Sequence, residues 1–168
     1  MTGLTQLSSV AGAITEVHLL RSPWLGDIEW SLSAELSFPS GLPGFQEERR
    51  ILPVEIPAQR PLVYLQSLTS PDVCFISLPV LVVNPEFELC LSEDDIFALK
   101  LPEGKSPVLG EDVLCLAMLV PVEGTVHANL GAPVVINLHC GTGAQCILIP
   151  EPRPGRFVLK EHGWEATC

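Results

Sequence analysis

Ile28-Glu29-Trp30-Ser31-Leu32-Ser33-Ala34-Glu35-Leu36-Ser37-Phe38 alternates apolar and polar residues without a break. Strand side chains point to opposite faces in turn. The pattern therefore predicts one strand with Ile28, Trp30, Leu32, Ala34, Leu36 and Phe38 on a buried face. A helix would scatter the same residues around its circumference. The strand runs into Phe38-Pro39-Ser40-Gly41-Leu42-Pro43-Gly44-Phe45, where prolines fix φ and glycines admit φ > 0. A phenylalanine at each end is placed to pin this loop to the core, and Leu42 has no obvious apolar neighbour in sequence. Such residues usually serve turn geometry, so the loop reads first as a strand connection. Rigid loops on a scaffold also carry binding groups, which makes it a candidate recognition element.

Further strands surround this one. Ile14 to Leu20 makes a short strand that Ser22-Pro23 stops. Glu47 to Arg50 reads as a solvated charge cluster, and Ile51 to Ile56 as a strand that Pro53 pushes towards a sheet edge. Leu62 to Leu68, the turn Ser70-Pro71-Asp72 and Val73 to Leu78 form a hairpin. Phe87, Leu89 and Leu91 alternate with Glu86, Glu88 and Cys90, predicting another strand with its acids outward. Ser92-Glu93-Asp94-Asp95 is a capped helix start, and Gly104 and Pro107 close that helix after about two turns. Asp112 to Val120 is apolar enough for a central strand covered on both sides. Val134 to Cys140 and Ala144 to Ile149 flank Gly141-Thr142-Gly143 as a second hairpin, and Arg156 to Glu161 adds a last edge strand. Many short strands and one small helix predict an all-β fold, a small antiparallel β-barrel-like domain. The expected organisation is an extension over 1–25 with room for one strand, the barrel over 26–150, and a tail over 151–168.

With 168 residues, 47% of them hydrophobic, the chain has material for one real core. Its mean hydropathy is +0.36, yet its longest apolar run, Val113 to Val120, is too short to cross a bilayer as a helix. The start lacks the basic residue and apolar block of a secretory signal, so the expected location is the cytoplasm. The formal charge is −11, and between Pro61 and Pro152 eleven carboxylates face only Lys100 and Lys105, whereas Arg153, Arg156 and Lys160 lie beyond. Nucleic-acid binding needs cations against phosphates, so no direct nucleic-acid contact is expected. An acidic surface serves solubility and also steers basic protein partners.

Six cysteines (Cys74, Cys90, Cys115, Cys140, Cys146, Cys168) contain no C-x-x-C pair, and in a reducing compartment they read as free thiols. Gly104-Lys105-Ser106 ends like a phosphate-binding loop, but Leu99 stands where that motif needs glycine. G-x-S-x-G and H-E-x-x-H are absent. A tight turn would bring His139 opposite Cys146, or Cys140 opposite Ala144, which is too few ligands for zinc. His18, His127 and His162 stand alone. No enzyme, metal or cofactor is expected; a hydrolase using His127 or His139 is the least favoured reading. A ligand-binding β-barrel is the alternative function, and it requires an apolar pocket inside the barrel.

Phe38 to Phe45, then Leu65-Gln66-Ser67-Leu68 with Pro71-Asp72 and Phe75, and then Ala128-Asn129-Leu130-Gly131-Ala132-Pro133-Val134-Val135-Ile136-Asn137 follow one another along the chain. In this order the three stretches resemble the flagellar assembly factor FliW family. Glu111-Asp112-Val113 fits as well, and the likeness runs from about Gly26 to Ile149. The chain departs from relatives at Leu78-Pro79, where they carry Asp-Pro, and at Pro85, where they carry tyrosine. The resemblance implies a non-catalytic adaptor that binds flagellin and the RNA-binding carbon storage regulator CsrA. Free adaptor would hold CsrA away from flagellin mRNA, and flagellin would compete for the adaptor. Two contact regions are expected on this basis: Pro39, Gly41, Leu42, Pro43 and Gly44 in the loop, and Asn129, Leu130 and Pro133. The acids Glu86, Glu88, Asp94 and Asp95 are expected to meet CsrA. Each of these residues also has a purely architectural reading, such as a turn or bulge at Asn129-Leu130-Gly131.

Overall fold

Alternation breaks at Leu32. A computed structural model describes the backbone of residues 7–10, 13–148, 155–160 and 163–167, and side chains from residue 16 to residue 148. Strands β1 (Leu7–Val10), β2 (Ala13–Ser22) and β3 (Gly26–Ser31) form a three-stranded antiparallel sheet of their own. The chain then makes a 3-10 turn over Leu32–Ala34 and re-enters as β4 (Leu36–Ser37). The single strand predicted over Ile28 to Phe38 is thus two strands in two sheets. Leu32 is 60% exposed and Ala34 is exposed, while Ile28 and Trp30 are half-buried; of the six predicted core residues only Phe38 is fully buried. Period two describes side-chain direction and is blind to which sheet a segment joins.

The larger sheet continues through β5 (Arg50–Val54), β6 (Val63–Ser67), β7 (Cys74–Pro79), β8 (Val113–Val122), β9 (Thr125–Asn137), β10 (Gly143–Gln145), β11 (Gly155–Lys160) and β12 (Gly163–Thr167). Its order is β12-β11-β9-β8-β7-β6-β5-β4, with β10 beside β9, and every named pairing is antiparallel. It curls nearly shut. The Ser37 amide donates to the Gly141 carbonyl at 2.9 Å, and Ser37 bridges Thr142, so β4 meets the turn before β10. The segment predicted as an edge strand, Arg156 to Glu161, is an inner strand between β9 and β12; Glu161 lies outside the described residues.

Two helices punctuate the strands. Helix α1 (Val80–Val83) follows the predicted strand Val73 to Leu78 in a segment to which the sequence assigned no element, and its valines favour strand by propensity. Helix α2 (Glu93–Ala98) is the predicted one, with a full capping box. The Asp95 amide donates to Ser92 Oγ at 3.1 Å, and the Ser92 amide donates to Asp95 Oδ2 at 3.2 Å. The segment between them is not the predicted strand. It pairs with no neighbour, although its alternation holds: Phe87 is buried, Leu89 and Leu91 pack on the core, and Glu86 and Glu88 are exposed.

The core divides in two. One cluster gathers Leu78, Val80, Phe87, Leu99, Val113, Cys115 and Leu130; the other gathers Phe38, Leu42, Ile51, Leu65, Leu116 and Val134. Burial pushes the Cys115 thiol up to about 12, as expected of a packed sulfur rather than a reactive one. Among the described residues one buried side-chain atom, His18 Nε2, lacks a hydrogen-bond partner, whereas the buried amide of Gln66 is fully engaged. The Gln66 side chain, fully buried, donates to the carbonyls of Ser67, Pro71 and Val73 and accepts the Ser22 hydroxyl at 2.8 Å. Trp24 Nε1 donates to the Asp72 carbonyl at 2.7 Å, so the β2–β3 turn is clasped to the β6–β7 turn at two points.

The predicted charge cluster at Glu47 to Arg50 resolves unequally. Glu48 is buried and accepts from the Ser67 and Ser70 hydroxyls, whereas Arg50 donates from Nε and Nη2 to Glu35 at 2.7 and 2.8 Å. This bidentate bond holds the Glu35 carboxyl below its ordinary 4.5. A depressed folded-state pKa contributes stability above the unfolded value and loses it as pH falls through the folded one. Glu35→Gln should therefore lower stability at pH 7 by under about 1 kcal/mol, seen as a lower urea midpoint. The deficit should shrink as pH drops below 4.5; urea titrations across that range check it, and a constant deficit would refute the assignment.

Candidate functional site

The loop after β4 is held from below by Phe38 and Leu42. Both are essentially unexposed, and Phe45, expected as the second pin, is instead 44% exposed with its ring edge-on to Phe75 at 5.0 Å. Leu42 and Phe45 exchange backbone bonds of 3.2 and 2.7 Å, closing a tight turn around Pro43-Gly44, and the Gly41 amide donates to the Phe38 carbonyl at 2.9 Å. Gly41 is buried with φ +64, where a Cβ would lie 2.5 Å from the Phe45 carbonyl oxygen and 2.6 Å from Gln46 Cα. Pro39, Ser40, Pro43 and Gly44 are exposed. The expected recognition loop is therefore a rigid frame (Gly41, Leu42) presenting a small outer surface (Pro39, Pro43, Gly44).

Asn129 to Pro133 is a pronounced bulge inside β9. Leu116 pairs with Val134 and Met118 with Asn129, so Ala117 alone faces Leu130, Gly131, Ala132 and Pro133. Asn129 Oδ1 accepts the Ala132 amide at 3.0 Å, and the segment after β10 fills the opposite side. There the Cys146 amide donates to the Pro133 carbonyl, the Leu148 amide to Gly131, and Gln145 Nε2 to Ala132. At this bulge β9 changes partner, from β11 beside Val126 to Ala128 to β10 beside Val134 to Ile136. Leu130 and Pro133 are buried and Asn129 half-buried. The β9–β10 turn is longer than predicted, spanning 138–142, so His139 does not face Cys146. His139 Nε2 lies 3.3 Å from Asp112, whose carboxyl is held low by the Val108 amide and His139.

The acids lie over the other core cluster. Glu86, Glu88 and Asp94 are exposed and Asp95 half-buried, its carboxylate spent on the cap of α2. Asp95 also lies beside Cys146, whose thiol is pushed up to about 12, first by burial and then by that charge. The loop and the acids ride on different core clusters, and β9 reaches both, with Leu130 in its bulge joining one and Val134 just after the bulge joining the other. Two surface features were missed by sequence reasoning. One is an open cleft of about 400 Å³ lined by Trp24, Leu25, Ile56, Gln59, Tyr64, Cys74 and Ile76. By alternation, Tyr64 and Ile76 lie on the face of the sheet opposite Leu65 and Phe75, and Tyr64 packs against the first core cluster. The other is Phe97, 81% exposed on α2. Its only sequence signal is its place out of phase with Ile96 and Leu99, which take the core face.

Among the described residues no group of three or more His, Cys, Asp or Glu is placed to hold a metal ion, and no helix is long and apolar enough to span a membrane. Known proteins give a consistent comparison. The family model described as "FliW protein" matches residues 20–157. A flagellar assembly factor FliW of Thermosipho africanus is 33% identical over 144 residues, covering 84% of this chain and 95% of the relative. The homonymous protein of Caldicellulosiruptor bescii is 25% identical over 149 residues, covering 89% and 95%. A crystal structure of the flagellar assembly factor FliW superposes with a TM-score of 0.70 at 26% identity, over 86% of this chain and 99% of that one. With most of its length matched in sequence and in fold, the chain belongs to the FliW family of flagellar assembly factors.

Proposed function

We propose that this protein is a non-catalytic cytoplasmic adaptor that binds flagellin and the translational regulator CsrA, and that occupation by one partner displaces the other. The observation that carries the reading is the separation of two unlike surfaces on one rigid barrel. Pro39, Pro43 and Gly44 offer a small, conformationally fixed contact, whereas Glu86, Glu88 and Asp94 form an acidic one. A protein that binds RNA is basic somewhere, so the acids suit CsrA and the loop is left for flagellin. Exchange between separate surfaces requires coupling, in which each ligand weakens the other by the same factor. Strand β9, with Leu130 in one core cluster and Val134 in the other, is the natural route.

The test is binding of the purified full chain to CsrA and to flagellin monomer, separately and in competition. CsrA binding should weaken at least tenfold between 50 and 300 mM salt, because steering by exposed charges is screened. Flagellin binding should be far less sensitive to salt, and flagellin should release CsrA. Absence of binding to both partners ends the proposal; simultaneous, independent binding ends its exchange step.

A further inference from the structure

Helix α2 is short, rigid and wrongly dressed for a solvated helix. Its core face is fixed: Ile96 packs against the first cluster, Leu99 is fully buried, and Asn137 Nδ2 donates to the carbonyls of Leu99 and Lys100 at 2.9 and 3.3 Å. Its outer face carries Phe97, at 81% the most exposed large apolar side chain among the described residues. A single exposed apolar residue is ordinary. Trp24, also exposed, at least has its indole N–H engaged by the Asp72 carbonyl. Phe97 has no polar atom to engage, and its surroundings are specific. A recess of about 310 Å³ beside α2 is lined by Glu93, Ile96, Glu103 and Gly104. Glu93, Asp94 and Glu103 are exposed, and none of them takes part in an ion pair among the described residues; Lys105, the cation that follows, lies 3.9 Å from Asp112.

We propose that α2 is a docking element in which Phe97 is the anchor and the occupant is a basic protein surface with an apolar recess. Charge decides among occupants. A second copy of this chain would bring Glu93, Asp94 and Glu103 against their own kind, and nucleic acid or an anionic membrane would meet the same repulsion. A basic surface instead gains encounter rate from the acids and residence time from an aromatic that leaves water. The inference rests on the proposed acidic contact with a basic partner and adds to it the group that would hold the complex together. The helix backbone is already capped and seated, so binding has to order only the exposed side chain.

CsrA is the probe, with the full-length chain and calorimetric titration at 100 mM salt. Phe97→Ala is expected to weaken CsrA binding tenfold or more, mainly through faster dissociation, and Phe97→Leu to recover part of the loss. Asp94→Lys should weaken it through slower association. Flagellin binding and the thermal midpoint should not move with Phe97→Ala, since the ring contributes little to the fold. Wild-type affinity in Phe97→Ala overturns the anchor while leaving the acidic contact standing; failure of the wild-type chain to bind CsrA overturns both. Sedimentation showing a dimer that Phe97→Ala dissolves would replace the basic occupant with a second copy and so overturn the assignment.

Discussion

Gly41→Ala is expected to be strongly destabilising, lowering stability by roughly 2–5 kcal/mol. Two effects add. A non-glycine residue at φ +64 is strained, and the new methyl would lie within 2.6 Å of the backbone of Phe45 and Gln46, which cannot swing aside like a side chain. Gly44→Ala is the matched control. Its φ is +82 but a Cβ there meets nothing within 4 Å, so only the conformational cost remains, about 1 kcal/mol. Urea unfolding of the two variants separates the effects. Equal midpoints would mean that the close approach at Gly41 relaxes freely and that the loop is soft.

Leu42→Ala should cost about 2–5 kcal/mol, as for other fully buried leucines. Leu42 is 1% exposed and lies in the cluster of Phe38, Ile51 and Val134, so truncation leaves a void under the loop. Pro43→Ala, one residue on and exposed, should change stability by less than about 0.5 kcal/mol. The pair also probes function. If the loop meets flagellin, Pro43→Ala weakens that complex without unfolding anything, whereas Leu42→Ala weakens it only through lost order. Unchanged flagellin affinity in Pro43→Ala would remove the outer loop from the contact, and a stable Leu42→Ala protein would contradict its place in the core.

What could be foreseen from the sequence is what local chemistry decides. The cap of α2 uses partners three residues apart, Ser92 and Asp95, so it was readable. The turn at Ser70 to Asp72 and the central strand β8 were readable for similar reasons, from turn residues and an unbroken apolar run. Leu42 was not, because its neighbours Ile51, Val63 and Val134 arrive from other strands. Helix α1 was not, because Val80 to Val83 favour strand by propensity and tertiary packing overrides it. Glu48 was taken for a solvated charge, since nothing local announces Ser67 and Ser70 as its partners. The outward placement of Glu86 and Glu88 was legible from alternation, and the place of Asp94 and Asp95 in the first turn of α2 from the cap. That Gly41 and Leu42 frame the loop, while Pro39 and Pro43 face outward, required the fold.

The Ser22 hydroxyl held by Gln66 has one more implication. An amide sealed off from water cannot fall back on solvent, so the segment that supplies its fourth bond has ceased to be an optional appendage. Whatever that ribbon once was, trimming it would now disturb the hairpin tip carrying Ser67 and Ser70, and with it the carboxylate beneath the loop.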